Sequence, residues 1–215
     1  DDGDTTFTTT TSSKNDDEFF LGCIQGNCNP VKEVRRVADV IEQQTRAYYG
    51  DCPEIVVVDA TTRRPSNDDG TGIDLSSSST STAKNKEHKS INFTYVPHHL
   101  QYMVGELLKN SCRATVKYHV ETGNVDTGQP LPPVRVVIAK GDEDVTIKVA
   151  DRGGGIPRSE MNEIWKFAHS TEKSSDENDT DFGLDFVTGA RIRGFGLPLA
   201  RIYARYLGGE LVRLT

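Results

Sequence analysis

From Pro30 onward, apolar side chains return at helical spacing. In PVKEVRRVADVIEQQTRAYYG, Val31, Val34, Ala38, Ile41 and Thr45 share one face, which predicts a helix opened by Pro30 and closed by Gly50. The β-branched run EIVVVDA, Glu54 to Ala60, predicts a buried strand. A second amphipathic helix is predicted over Leu100 to Tyr118, with Leu100, Met103, Leu107 and Ala114 on its apolar side. VRVVIAK and VTIKVAD, joined by GDED, predict a hairpin that delivers Asp151 to a glycine turn. Ser159 to Phe167 predicts a short helix, GLPLARIYARYLGG a longer one closed by Gly208 and Gly209, and ELVRLT the start of a further strand. Helix and strand, then helix, hairpin, loop, helix and strand, is the order of an α/β fold built as a two-layer sandwich with a mixed sheet.

Where the apolar pattern lapses, composition takes over. Residues 1–18 are acidic and threonine-rich and predict a flexible arm, while 61–90 is a serine-, threonine- and charge-rich stretch expected to be a low-complexity insertion. Glu121 to Pro133 predicts a loop, and 169–193 has the polar composition of a mobile one. The remaining chain, 19–215, is of a length for one domain with a core of its own. A net charge of −7 argues against an extended phosphate-backbone interface, so nucleic acid is not an expected partner. Cys23, Cys28, Cys52 and Cys112 have no paired CxxC spacing, which suggests neither a zinc site nor a disulfide framework and fits a reducing compartment. No apolar run is long enough to span a bilayer, and DDGDTTFTTTTSS has neither the apolar centre of a signal peptide nor the arginines of a transit peptide.

Three segments carry candidate chemistry. In ELLKNSCRA, Glu106, Asn110 and Arg113 fall at i, i+4 and i+7 with Lys109 beside them, lining one wall of a helix. Such a wall suits a phosphate site: an Asn oxygen can hold Mg²⁺, Lys or Arg can offset phosphate charge, and Glu can orient or deprotonate a nucleophile. Alone, it equally describes a solvated helix face with an intrahelical ion pair. In DRGGGIP, Gly153, Gly154 and Gly155 permit a tight turn and the close approach of a ligand, and Asp151 can accept a hydrogen bond from an exocyclic amine such as that of adenine. An ordinary strand-to-helix turn would read similarly. In RGFGLPLAR, Gly194 and Gly196 precede a helix whose first amides and positive dipole end could receive phosphate oxygens, although a bare GxG is a weak signal.

Taken together and in this order, the three segments resemble the N box and two glycine boxes of the GHKL ATPases, the superfamily of gyrase, heat-shock chaperones, mismatch-repair ATPases and histidine kinases. Within it, YVPHHLQYMVGELLKNSCRATVKYH, DRGGGIPRSEMNEIWKFAHST and GFGLPLARIYARYLGGEL resemble the mitochondrial pyruvate dehydrogenase and branched-chain 2-oxoacid dehydrogenase kinases. The resemblance implies a Bergerat fold with ATP and Mg²⁺ as cofactors. It implies that Asp151 holds the adenine, that Asn110 holds Mg²⁺, and that Gly153, Gly155, Ile156, Gly194, Phe195, Gly196 and Leu197 frame the nucleotide. Thr171 would lie near the adenine or the lid at 169–193. Glu106 would be the base that activates a substrate serine, with Lys109 and Arg113 supporting the phosphate.

The implied function is serine phosphorylation of the dehydrogenase component of a 2-oxoacid dehydrogenase complex in the mitochondrial matrix, by a homodimeric parent. The same resemblance leads one to expect, outside these residues, an amino-terminal four-helix domain that docks on lipoyl domains and a closing G-x-G-T segment. Two positions depart from the family pattern: Ile192 stands where a first glycine of G-x-G-x-G is usual, and Tyr102 stands where pyruvate dehydrogenase kinases often carry histidine. A histidine-kinase ATPase module and an ATP-gated scaffold without transfer are the alternative readings. His98 and His99, at a helix start, are expected to be structural.

Overall fold

The computed structural model describes residues 19–60, 91–123, 130–168 and 194–212. The expected arm at 1–18, the insertion at 61–90 and the lid at 169–193, with Thr171 and Ile192, lie outside them. The described chain runs β1 (Phe20–Leu21), β2 (Ile24–Cys28), α1 (Pro30–Tyr49), β3 (Ile55–Asp59), β4 (Phe93–Tyr95), α2 (Pro97–Glu121), β5 (Val134–Lys140), β6 (Val145–Ala150) and α3 (Gly196–Tyr206). Two short 3-10 turns, Arg158–Glu160 and Glu163–Trp165, replace the helix expected over 159–167. No residue of either turn is buried, so no apolar stripe against a neighbour is available to sustain a longer helix. Residues 210–212 form no strand, and the rest of ELVRLT lies outside the described residues.

The strands form two three-stranded sheets, β1-β2-β4 and β3-β5-β6. The second is mixed: β3 runs parallel to β5, with Ile55 opposite Val134, and β5 pairs antiparallel with β6, with Val136 opposite Val149. The β5–β6 connection closes at Gly141, whose amide donates to the Asp144 carbonyl at 2.9 Å. Val134, Val136 and Ile138 alternate along β5 and are fully buried, the period-2 pattern of a strand with one face on the core. Opposite that face lie Val34, Val37 and Ile41 of α1 and Leu100, Val104, Leu108 and Cys112 of α2. Helices over one face of a mixed sheet make the α/β sandwich that the element order predicts.

All five residues assigned to the inner face of α1 are buried. Its ends are capped: Asn29 Oδ1 accepts from the Lys32 amide at 3.0 Å, and Gly50 takes a left-handed conformation while its amide donates to the Arg46 carbonyl at 2.9 Å. On α2 the apolar side is displaced from the expected one. Leu100 is buried as expected, but the line continues through Val104, Leu108, Cys112 and Val116, while Met103, Leu107 and Ala114 are half-buried. The cause is that α2 packs against α1, α3 and the sheet at once, so it has no single apolar stripe. No described helix is long and apolar enough to cross a membrane.

Candidate functional site

The 25-residue helix α2 is the spine of the site. One turn apart on it, Lys109 Nζ and Glu106 Oε1 form an ion pair, with their side chains only 11% and 12% exposed. Both charges are largely withdrawn from water, and each is the neutralising partner the other requires. Asn110, the next residue, is exposed, and Arg113 is half-buried one turn on. The structure therefore brings a paired acid and base, a free-facing carboxamide position and a guanidinium onto one helix.

The end of β6 supplies the second part. Asp151 follows Ala150, and both of its carboxylate oxygens are engaged: Ser111 Oγ donates to Oδ2 at 2.8 Å and the Gly153 amide to Oδ1 at 2.9 Å. Two donors fix the rotamer while leaving each oxygen a lone pair for an incoming N–H. The carboxylate is exposed, so a ligand can reach it. Ser111 escaped the sequence reading because a small hydroxyl inside a helix carries no spacing signal and its partner is 40 residues away. Its own carbonyl accepts from the Thr115 hydroxyl at 2.8 Å, one turn further along the helix.

Gly153 is where backbone meets backbone. A Cβ built there would lie 2.5 Å from Ala114 Cβ and 2.9 Å from the Thr115 nitrogen, so only glycine lets the loop lie against α2. Gly154, at φ 81°, carries a second constraint, since a Cβ would meet the Tyr118 ring at 2.6 Å. Gly155 also has positive φ, at 75°, and Ile156 is half-buried after it.

The third part is the start of α3. Gly194 turns the chain at φ 77°, Phe195 and Leu197 are half-buried, and Pro198 is buried in the first helical turn. A Cβ on Gly196 would collide with Glu106 Oε2, so this glycine admits the carboxylate to the positive end of α3. Phe167 and Phe195 meet with ring centroids 5.7 Å apart, and the Arg201 guanidinium lies 4.5 Å over the Trp165 ring. Thr171 lies outside the described residues.

Between α1 and α2, Val37, Ile41, Gln101, Tyr102, Glu106 and Lys109 line a cavity of about 10 Å³, room for roughly one water. That cavity is too small for a nucleotide, while Asn110 and Asp151 are exposed to solvent. His99 stacks on Tyr203 at 4.4 Å, and Tyr203 meets Tyr102 at 5.1 Å, so these rings tie α2 to α3. Burial, then the neighbouring His98, holds the His99 imidazole below its ordinary pKa.

The family model for histidine kinase-, DNA gyrase B- and HSP90-like ATPases matches residues 95–214, the span that contains α2, Asp151, the glycine turn and α3. The chain belongs to this ATPase family. It carries an ATP-binding domain of that family. The chain is similar to the mitochondrial [pyruvate dehydrogenase (acetyl-transferring)] kinases of Arabidopsis thaliana, 46% identical over 57% of this chain and 32% of the relative, and of Drosophila melanogaster, 46% identical over 58% and 28%. Isozyme 1 of the human enzyme is 28% identical over 89% of this chain and 36% of its own length. The chain thus spans about a third of the length of the curated relatives it matches.

Proposed function

We propose that the protein is an ATP-dependent serine kinase acting on the dehydrogenase component of a mitochondrial 2-oxoacid dehydrogenase complex. The observation that carries this reading is the buried Glu106–Lys109 pair beside Asn110, set against Gly196 at the opening of α3. Binding ATP needs only an adenine anchor and a phosphate cradle; a carboxylate at the phosphate end adds a base for an acceptor, which the similarity to the kinases makes a serine hydroxyl rather than water. The names of the similar kinases support pyruvate dehydrogenase as the acceptor and the mitochondrion as the place; we assign the matrix as its compartment.

In this reading Asp151, set by Ser111 and Gly153, accepts the adenine amino group, and the 153–156 turn lies along the base. The amides of Gly196 and Leu197 face the phosphates, aided by Gly194 and Phe195. Arg113 supports the acidic end of the groove. Asn110 fits Mg²⁺ through a hard, exposed carboxamide oxygen beside two charged side chains, and the ion would supply charge neutralisation of the phosphates. Lys109 leaves its pairing with Glu106 for the transferring phosphoryl group, which frees the carboxylate to take the serine proton. The 19–215 segment is read as one catalytic domain, with the lid and Thr171 that the family resemblance implies lying at 169–193, outside the described residues, and the parent as a homodimer that docks on lipoyl domains through a further domain.

Glu106→Gln in the full-length protein tests the assignment. Retained ATP binding with serine phosphorylation reduced by about a hundredfold or more is expected of a lost base. Transfer at the unsubstituted rate would remove Glu106 from that role.

A further inference from the structure

We propose that Gly105 is a positioning residue for phosphoryl transfer: the space left by its missing side chain lets the Glu106–Lys109 pair open. The part that concerns transfer rests on the kinase reading above. Gly105 is buried within α2, one residue before Glu106. Its backbone is helical, so no left-handed turn requires glycine there, in contrast to Gly154, Gly155 and Gly194. Close approach does not require it either. A Cβ built on Gly105 would meet Val37 Cγ1 of α1 at 3.5 Å, an ordinary van der Waals contact, whereas one on Gly153 would meet α2 at 2.5 Å. Alanine fits at this position and is the better helix former, so the helix gains nothing in stability from the glycine.

What the missing methyl group leaves is space beside the charged pair. Gly105, Val37, Tyr102, Glu106 and Lys109 all line the cavity of about 10 Å³ between α1 and α2. That is room for one water, and a methyl group of similar size would occupy most of it. The Glu106 and Lys109 side chains are 12% and 11% exposed, and a close-packed interior leaves such side chains little freedom to change rotamer. On another side Glu106 is confined by the start of α3, where an added Cβ on Gly196 would collide with its Oε2. The cavity therefore supplies the free volume that the pair borders.

Transfer in the proposed mechanism needs this pair broken, since Lys109 goes to the phosphoryl group and Glu106 takes the serine proton. The aliphatic stem of Lys109 turns through the space beside Gly105 as its ammonium leaves Glu106, and the carboxylate is left unpaired. Gly105 itself touches neither the reacting atoms nor the adenine anchor at Asp151. Its influence falls on the chemical step and not on ATP binding, so filling the space should lower kcat and leave ATP affinity alone.

The test compares Gly105→Ala with wild type in the full-length protein. Pair opening is read without reference to activity, as the rate at which acetic anhydride acetylates Lys109, mapped by peptide mass against Lys148, an exposed lysine on β6. In Gly105→Ala the Lys109 rate is expected to fall about tenfold, as an opening made rarer, with Lys148 unchanged. Serine transfer to purified dehydrogenase complexes should lose about ten- to a hundredfold in kcat while the ATP Kd stays within about twofold. Tm should rise by about 2–4 °C, because alanine replaces glycine inside a helix. Val37→Ala added to Gly105→Ala gives the space back and should restore the Lys109 rate, although it lowers Tm. Lys109 acetylated at the wild-type rate in Gly105→Ala would overturn the proposal, as would a slowed rate that the second substitution leaves slow. A fall in Tm for Gly105→Ala alone would also overturn it, since the methyl group would then not fit the space. If wild type itself labels no dehydrogenase serine, the kinase reading fails, and the acetylation rates still decide whether Gly105 governs the opening of the pair.

Discussion

Gly153→Ala places one methyl group where the structure has no room for it. The new Cβ would sit 2.5 Å from Ala114 Cβ, 2.7 Å from the Ala114 carbonyl carbon and 2.9 Å from the Thr115 nitrogen. Two of these three are backbone atoms of α2, which cannot swing aside as the tip of a side chain would. Carbon atoms settle at about 3.5 Å or more, so the turn must back away from the helix by roughly 1 Å. Overpacking of this kind costs about 1–3 kcal/mol, which is a fall of about 2–12 °C in Tm for a domain of this size. The same retreat acts on Asp151, because the Gly153 amide that moves is the donor to Asp151 Oδ1 at 2.9 Å. A displacement of ~1 Å takes that contact past hydrogen-bonding distance, and a hydrogen bond to a charged group is worth about 1.5–3 kcal/mol. ATP affinity should therefore fall by about ten- to a hundredfold. Fluorescence of Trp165, the single tryptophan, beside the Arg201 guanidinium, offers a readout of nucleotide binding, and a thermal melt of the same sample separates folding from affinity. A variant with wild-type Tm and an ATP Kd within about twofold of wild type would refute the reasoning, since no close approach at Gly153 could then be important.

Three further outcomes follow from particular contacts. Ser111→Ala removes the donor to Asp151 Oδ2 without adding bulk, so ATP affinity should fall about tenfold with little change in Tm; equal binding by calorimetry would dismiss Ser111 as a positioning residue. His99 is a base whose folded pKa is depressed below 6.5, so it takes up protons more readily unfolded, and stability should decline as pH falls through that value; His99→Phe keeps a ring on Tyr203 and should flatten Tm against pH between about pH 7 and 5. Asn29→Ala deletes the side-chain cap of α1 and should cost about 1 kcal/mol, read as a drop of about 2–4 °C in Tm with ATP affinity unchanged.

The parts of the fold that were legible in sequence are those where one short-range rule decides the outcome. The inner face of α1 follows from its 3.6-residue period because the helix has one buried side, and β5 and β6 follow from β-branched runs on either side of GDED. The sheet β1-β2-β4 was not legible. Its strands are two, five and three residues long, β2 is interrupted by Gly26, and β4 pairs with it from the far side of residues 29–92, with a register shift between Gln25 and Cys28. On α2 the apolar face was misplaced because Val104, Leu108 and Cys112 turn to the core while Glu106 and Lys109 are themselves withdrawn from solvent. The site divides in the same way. Asp151 and the glycines stand out in the sequence as three consecutive glycines after a strand, a pattern that a strand-to-helix turn shares. Ser111 became visible only when tertiary folding set it 2.8 Å from Asp151, and the contact of Glu106 with Gly196 joins segments whose relation no spacing rule encodes.

The most direct test of the central claim is incubation of the full-length protein with labelled Mg-ATP and purified pyruvate and branched-chain 2-oxoacid dehydrogenase complexes, followed by acid treatment of the labelled protein. Acid-stable label on a serine of a dehydrogenase component is the predicted result, and the labelled complex identifies the substrate. Acid-labile label on the protein itself, or ATP binding with no label on any protein, would contradict the kinase reading in favour of a phosphohistidine module or of a nucleotide-gated scaffold.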